Sequence, residues 1–215
     1  MPLTREQMAR RAAQELQNGD YVNLGVGIPT LVANFVPPDV EVILHSGHGI
    51  LGIGPLPTPE QFDPDLLSVA GQPATILPGA AFAPTYESFG WVRSGRIDVS
   101  ILGALQVSER GDVANWTVPG SPPRGMGGAM DIVVGVKRLI VVMEHVTRSG
   151  EKRIVRECTM PLTGVGCVKL IITDHCVLDV TPRGLVLVEL APDVTLPEVQ
   201  ALTDAKIVSD LGPTG

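Results

Sequence analysis

The chain has 215 residues, long enough for an α/β domain with a sizeable core, and its 44% hydrophobic and 18% charged composition argues against a disordered, solvating chain. With 16 basic and 23 acidic residues the net charge is −7, and no Lys/Arg run is long enough to track a phosphate backbone, so no nucleic-acid partner is expected. Apolar runs such as 139–143 fall far short of the roughly 20 residues that cross a bilayer, and the polar start is unlike a signal peptide; a soluble cytoplasmic protein without a membrane partner is expected.

Thr4-Arg5-Glu6-Gln7 resembles a capping box, and Met8, Ala12 and Leu16 recur at helical spacing, which predicts a helix over 5–18 that stops at Gly19. A short strand over 21–24 feeds the glycine loop Gly25-Val26-Gly27-Ile28-Pro29-Thr30 and a helical stretch through Phe35, ended by Pro37-Pro38. A second strand, 41–46, runs into Gly47-His48-Gly49-Ile50-Leu51-Gly52-Ile53-Gly54-Pro55, where four glycines in eight residues are expected to break the ladder and turn the chain. Further strands are predicted over 74–77, 97–102, 138–143, 168–173, 176–180 and 185–190, with helices over 86–94, 128–135 and 196–203. Continuous apolar strands such as Leu139-Ile140-Val141-Val142-Met143 suit a sheet covered on both faces. The expected fold is therefore a single domain over 1–215, an open, mainly parallel α/β sheet with an antiparallel addition near the C-terminus. Cys158, Cys167 and Cys176 are read as reduced thiols, and their spacing matches no zinc pattern, so no metal site is expected.

Three glycine-rich segments are expected beyond the carboxyl ends of the strands, where open α/β sheets bind ligands. In the first, Asn23 precedes Gly25 and Gly27, which allow close backbone approach at a helix start; a tight turn needed only for packing fits the same residues. In the second, Gly125-Met126-Gly127-Gly128 precedes a helix and can present backbone donors to an oxyanion, or serve simply as a helix-entry loop. In the third, His48 lies between Gly47 and Gly49 and is sterically open, whereas His45 is read as a packed or capped histidine.

Taken together, these segments resemble the small, or B, subunit of class I coenzyme A transferases, the family of 3-oxoacid and succinyl-CoA:3-ketoacid CoA-transferases. The resemblance rests on Asn23 to Thr30, Gly49 to Pro55, Leu77 to Phe82, Leu102 to Val107, Gly111 to Trp116, Gly125 to Asp131, Met143 to His145 and Pro161 to Gly164, in order along nearly the whole chain. It implies an open α/β transferase domain, a coenzyme A thioester as substrate, no covalently bound cofactor, and a separate A subunit in a heterodimer or heterotetramer. In that family the glutamate of a Ser-Glu-Asn-Gly motif attacks the acyl-CoA and carries the acyl group covalently. The corresponding residues here are Ser46-Gly47-His48-Gly49, so the glutamate position holds Gly47 and the asparagine position His48.

Three readings follow. The chain belongs to an enzyme repurposed for decarboxylation, C–C bond hydrolysis or thioester hydrolysis, with His48 as acid or base; or it still serves CoA transfer with a carboxylate supplied elsewhere; or it is a catalytically silent subunit. Under the first reading Asn23, Gly25, Gly27, Gly125, Met126, Gly127 and Gly128 hold the thioester. Glu144 and His145 are adjacent on an extended chain, point to opposite faces and are not expected to form a dyad. Gln106 and Asn115 fit either substrate orientation or buried polar pairing, Trp91 and Trp116 fit packing, and Arg124 fits either a phosphate contact or a solvated position.

Overall fold

The computed structural model describes residues 1–68, 71–122 and 125–209. Helix α1 (Arg5–Ala13) starts with the expected capping box, Thr4 accepting from the Gln7 amide and Gln7 reaching back to Thr4. It ends one turn earlier than predicted, because Glu15 N and Leu16 N bond to the carbonyls of Ala12 and Ala13, three residues back, and Gly19 then turns toward Glu41. Strand β1 (Tyr21–Leu24) leads to α2 (Ile28–Leu31), and the helical stretch through Phe35 proves to be one α-turn followed by a 3₁₀ turn. Next come β2 (Ile43–Ser46), β3 (Ile50–Ile53) and β4 (Ile76–Phe82), α3 (Thr85–Arg93) and β5 (Val99–Leu102). The rest comprises β6 (Gln106–Ser108), β7 (Val113–Ala114), α4 (Ala129–Gly135), β8 (Arg138–Val142), β9 (Ile154–Val155), β10 (Val168–Ile172), β11 (Cys176–Thr181), β12 (Gly184–Leu190), α5 (Leu196–Leu202) and β13 (Ile207–Ser209).

Among the described residues these strands form a ten-stranded sheet in the order β13-β12-β11-β10-β8-β5-β1-β2-β3-β4 and a three-stranded sheet of β7, β6 and β9. The centre, β10-β8-β5-β1-β2, is parallel throughout, and β11 and β12 add the antiparallel C-terminal strands that the sequence predicts. At the other end the chain does reverse at Gly47-His48-Gly49, but the ladder resumes as the antiparallel β3 and β4. Gly49 makes the reversal possible: its φ is 124°, and a Cβ there would collide with the Ala83 carbonyl. Strand β4 carries Pro78 and Gly79 because it is the edge of the sheet, where a missing backbone donor is tolerated.

Successive residues of the central strands enter two different cores. Leu139 and Val141 join one apolar cluster, together with Val92 of α3 and Ile132 and Val133 of α4, while Ile140 and Val142 join a second with Met8, Ala9 and Ala12 of α1. A strand buried on both faces reads as an unbroken apolar run. The carboxyl ends of β1, β2 and β5 emerge together between these layers.

Candidate active site

The site is built on a line of buried polar side chains across the parallel strands. Asn23 of β1 donates from Nδ2 to His45 Nδ1 at 3.1 Å, and Ser100 of β5 lies 3.1 Å from Asn23 Oδ1. His45 Nε2 is 2.8 Å from the Ser88 hydroxyl of α3. Because Nδ1 accepts from the amide, Nε2 carries the ring proton and donates to Ser88, and His45 is neutral. Burial, and then the neighbouring His48, push its pKa down to about 4. His45 is thus the packed histidine that the sequence predicts, and its role is to lock Asn23 and β2 against α3.

Beyond these strand ends lies a cleft of about 420 Å³ lined by Asn23, Gly25, Gly47, Phe89, Asn115 and Gly128, with Leu102, Gly103, Ala104 and Leu105 on its wall. Close packing explains its glycines. A Cβ at Gly25 would lie 2.9 Å from Leu102 Cδ2, one at Gly47 3.0 Å from Phe89 Cζ, and one at Gly128 2.6 Å from Phe89 Cε1. The Phe89 ring therefore sits between the second strand and the second glycine loop, held by α3, which Arg93 ties to Asp131 of α4 at 2.9 Å. The cleft thus gathers Asn23, Gly25, Gly47 and Gly128 from the predicted residues. Gly27, with φ 95°, caps α2 and lines a neighbouring pocket, and Gly125, Met126 and Gly127 approach α4 outside the cleft wall. The helices behind both glycine loops have four and seven residues, so any help they give a bound anion comes from individual backbone groups rather than from a long dipole. Arg124 lies outside the described residues.

His48 turns away from this cleft. Its Nδ1 is 2.9 Å from Ser46 Oγ and its Nε2 is 2.6 Å from the Leu67 carbonyl, on the face of β2 opposite α3. Ser46 there lines a second pocket, of about 430 Å³, which shares Leu24, Gly25 and Val26 with the cleft and is walled by Leu31, Leu44, Ile53 and Leu56.

The coenzyme A transferase family model matches residues 5–202. The chain belongs to the coenzyme A transferase family. That family of enzymes acts on acyl-CoA. Along 208 residues it is 48% identical to the B subunit of the 3-oxoadipate CoA-transferase of Pseudomonas putida, covering 96% of this chain and 97% of that one. Among solved structures it superposes on the acyl-CoA transferase YdiF of Escherichia coli O157:H7 with a TM-score of 0.78 at 25% identity, covering 98% of this chain but 43% of that longer one. The decarboxylase AibA/AibB shares the fold, with a TM-score of 0.70 at 20% identity over 96% of this chain and 86% of that one.

Most of the other polar residues singled out in the sequence pair within the fold. His145 is fully buried between the hydroxyls of Thr173 and Thr203, each at 2.9 Å, and burial pushes its pKa down to about 4. Glu144 faces the other way, pairing with Arg5 at 2.7 Å and Arg153 at 3.3 Å. Gln106 pins the 159–160 backbone, its Oε1 accepting from Thr159 N at 2.8 Å and Met160 N at 3.1 Å. Asn115 bonds Thr163 at 2.7 Å while lining the cleft, so it pairs and faces the site at once. Trp91 packs edge-on to His45, and Trp116 donates to the Leu162 carbonyl. All three cysteines are free; burial raises Cys158 to about 11 and Cys176 to about 12. Sequence reading missed Ser88, Phe89 and Ser100, whose roles depend on α3 and β5 meeting β1 and β2. Among the described residues no helix is long and apolar enough to cross a membrane.

Proposed function

We propose that this chain is the B subunit of a two-chain enzyme, that it binds a coenzyme A thioester together with an A subunit, and that its chemistry is not covalent CoA transfer. Gly47 is read as occupying the place of the family's nucleophilic glutamate. The observation that supports this is the cleft itself: position 47 faces it without a side chain, and the polar side chains on its wall, Asn23 and Asn115, are amides that cannot form an acyl anhydride. Removing a covalent nucleophile lowers turnover by on the order of 10⁶-fold. What the wall still offers is close backbone approach at Gly25 and Gly128 and the Asn115 amide, which suits holding a thioester and stabilising an oxyanion or enolate. Thioester hydrolysis, C–C bond hydrolysis and decarboxylation all need that and no carboxylate anhydride. His48, the acid or base expected from the sequence, bonds Ser46 and the Leu67 carbonyl outside the cleft, so this reading assigns it no part in the thioester chemistry.

A second reading keeps CoA transfer, with the carboxylate supplied by the A subunit; the 48% identity to the B subunit of a 3-oxoadipate CoA-transferase favours it. The protein purified with its A subunit, incubated with acetoacetyl-CoA and succinate and then with a panel of acyl-CoAs, separates the two by product mass. Free CoA with a carboxylic acid or a decarboxylated product supports the first reading. Succinyl-CoA formed at the expense of acetoacetyl-CoA overturns it. A complex that binds CoA by calorimetry yet turns over no thioester identifies a silent assembly subunit, which also overturns it.

A further inference from the structure

β2 ends at Ser46, and Gly47-His48-Gly49 turn the chain into β3, closed by the Gly49 amide donating to the Ser46 carbonyl at 3.0 Å. Position 47 faces Phe89 of α3, while Ser46 and His48 share the opposite face and touch each other. The direction of each proton there is fixed by chemistry. The Leu67 carbonyl can only accept, so His48 Nε2 carries the ring proton in that 2.6 Å bond. In the neutral ring Nδ1 is then an acceptor, and the Ser46 hydroxyl donates to it at 2.9 Å. A hydroxyl, an imidazole base and a group that orients the base thus lie in series, the arrangement that activates serine nucleophiles. Ser46 is 7% exposed, and it lines the pocket of about 430 Å³ whose walls are largely apolar, a volume in the range of small-ligand sites.

We propose that Ser46 is a nucleophile that accepts a short aliphatic acyl group from an acyl ester held in this pocket, with His48 as its base and the Leu67 carbonyl fixing the tautomer of His48. Ser46 Oγ forms the new C–O bond as its proton passes to His48 Nδ1. The ester C–O bond breaks, and the leaving oxygen departs with the electron pair and takes that proton. Water then attacks the seryl ester, giving its proton to Nδ1; the bond to Oγ breaks, Oγ is reprotonated, and a carboxylic acid leaves. The site lies on the other face of β2 from the cleft at position 47 and does not depend on thioester binding there.

The purified protein is mixed with p-nitrophenyl butyrate, and p-nitrophenolate release and intact mass are followed. The expected result is a burst stoichiometric with protein and a mass increase of one butyryl group on the peptide containing Ser46. Ser46→Ala removes the adduct, Ser46→Cys retains it as a thioester, and His48→Gln slows its formation by about 100-fold or more. The proposal is overturned by a folded wild-type protein with no butyryl group on Ser46, by an adduct that persists in Ser46→Ala, or by His48→Gln acylating at the wild-type rate. Calorimetry with CoA on the same preparation reports on the cleft separately, so failure at Ser46 is distinguishable from failure of thioester binding.

Discussion

The two buried histidines make stability depend on pH. His45 is 3% exposed and His145 fully buried, and each has its pKa lowered from 6.5 to about 4, first by burial. The bonding of His45 agrees with neutrality. Thr203 donates its hydroxyl proton to the Val199 carbonyl at 2.8 Å, so it accepts from His145 Nε2–H, while the Thr173 hydroxyl, 2.9 Å from Nδ1, also reaches the Cys176 carbonyl at 3.1 Å. A base kept neutral by the fold takes up a proton on unfolding, so between pH 6.5 and 4 the unfolded chain binds more protons. The stabilisation is complete above pH 6.5 and is lost as pH falls toward 4. Between pH 7 and 5 a shift of this size removes about 2 kcal/mol per histidine, about 4 kcal/mol for the pair. The buried or paired carboxylates Glu15, Asp98 and Glu144 have lowered pKa values and give up their contribution at lower pH. Urea unfolding at pH 7 and pH 5, followed by tryptophan fluorescence, measures the loss; His145→Gln, which cannot titrate, should be less stable overall but lose only about half as much between the two pH values. A wild-type protein equally stable at both pH values, or a variant with the full wild-type loss, refutes the reasoning.

Two further predictions concern the packing around Phe89. Gly128→Ala places a methyl group 2.6 Å from Phe89 Cε1 and should destabilise by about 1–3 kcal/mol, and Gly47→Ala, whose nearest contact is 3.0 Å, by less. Phe89→Leu should make both substitutions milder, and strictly additive Tm changes across the double variants would refute the shared contact. Gly47→Glu with His48→Asn should create succinate-dependent transfer from acetoacetyl-CoA once the Phe89 ring yields to the new side chain; a variant pair that still binds CoA but exchanges none of it shows that more than the carboxylate has been lost.

The parallel centre of the sheet was legible because each of its strands announces itself: Leu139 to Val142 is apolar without a break, and only a strand buried on both faces needs that pattern. The strands that sequence reading lost or cut short are those whose local signals run against their tertiary surroundings. Gly52 argues against β3, which nevertheless pairs with β2 and β4, and Pro78 and Gly79 argue against extending the strand predicted over 74–77, yet β4 runs to Phe82 because it lies at the edge, where the demand for donors is relaxed. Residues 106–108, 113–114 and 154–155 are too short to show a period; the first two pair as a local hairpin, and the third joins only because the chain returns Ile154 beside Val107. In the site, glycines were legible and their neighbours were not. Phe89 is the reason for Gly47 and Gly128, and nothing in the order of residues along the chain brings 89 to either.

The turn out of β2 also divides the segment Ser46-Gly47-His48, whose residues are immediate neighbours in the sequence. Position 47 faces α3, against Phe89 and the 420 Å³ cleft, while Ser46 and His48 bond to each other on the other side, against Leu67 and the 430 Å³ pocket. An imidazole at 48 therefore does not replace a carboxylate at 47 in space, however close the two lie in sequence. With Nε2 bound to a carbonyl, the basic nitrogen of His48 is directed at Ser46, and any chemistry it performs runs through that hydroxyl. Gly47→Glu and Ser46→Ala accordingly probe two pockets that share the Leu24-Gly25-Val26 wall, and a change in CoA binding caused by Ser46→Ala would have to travel through that wall.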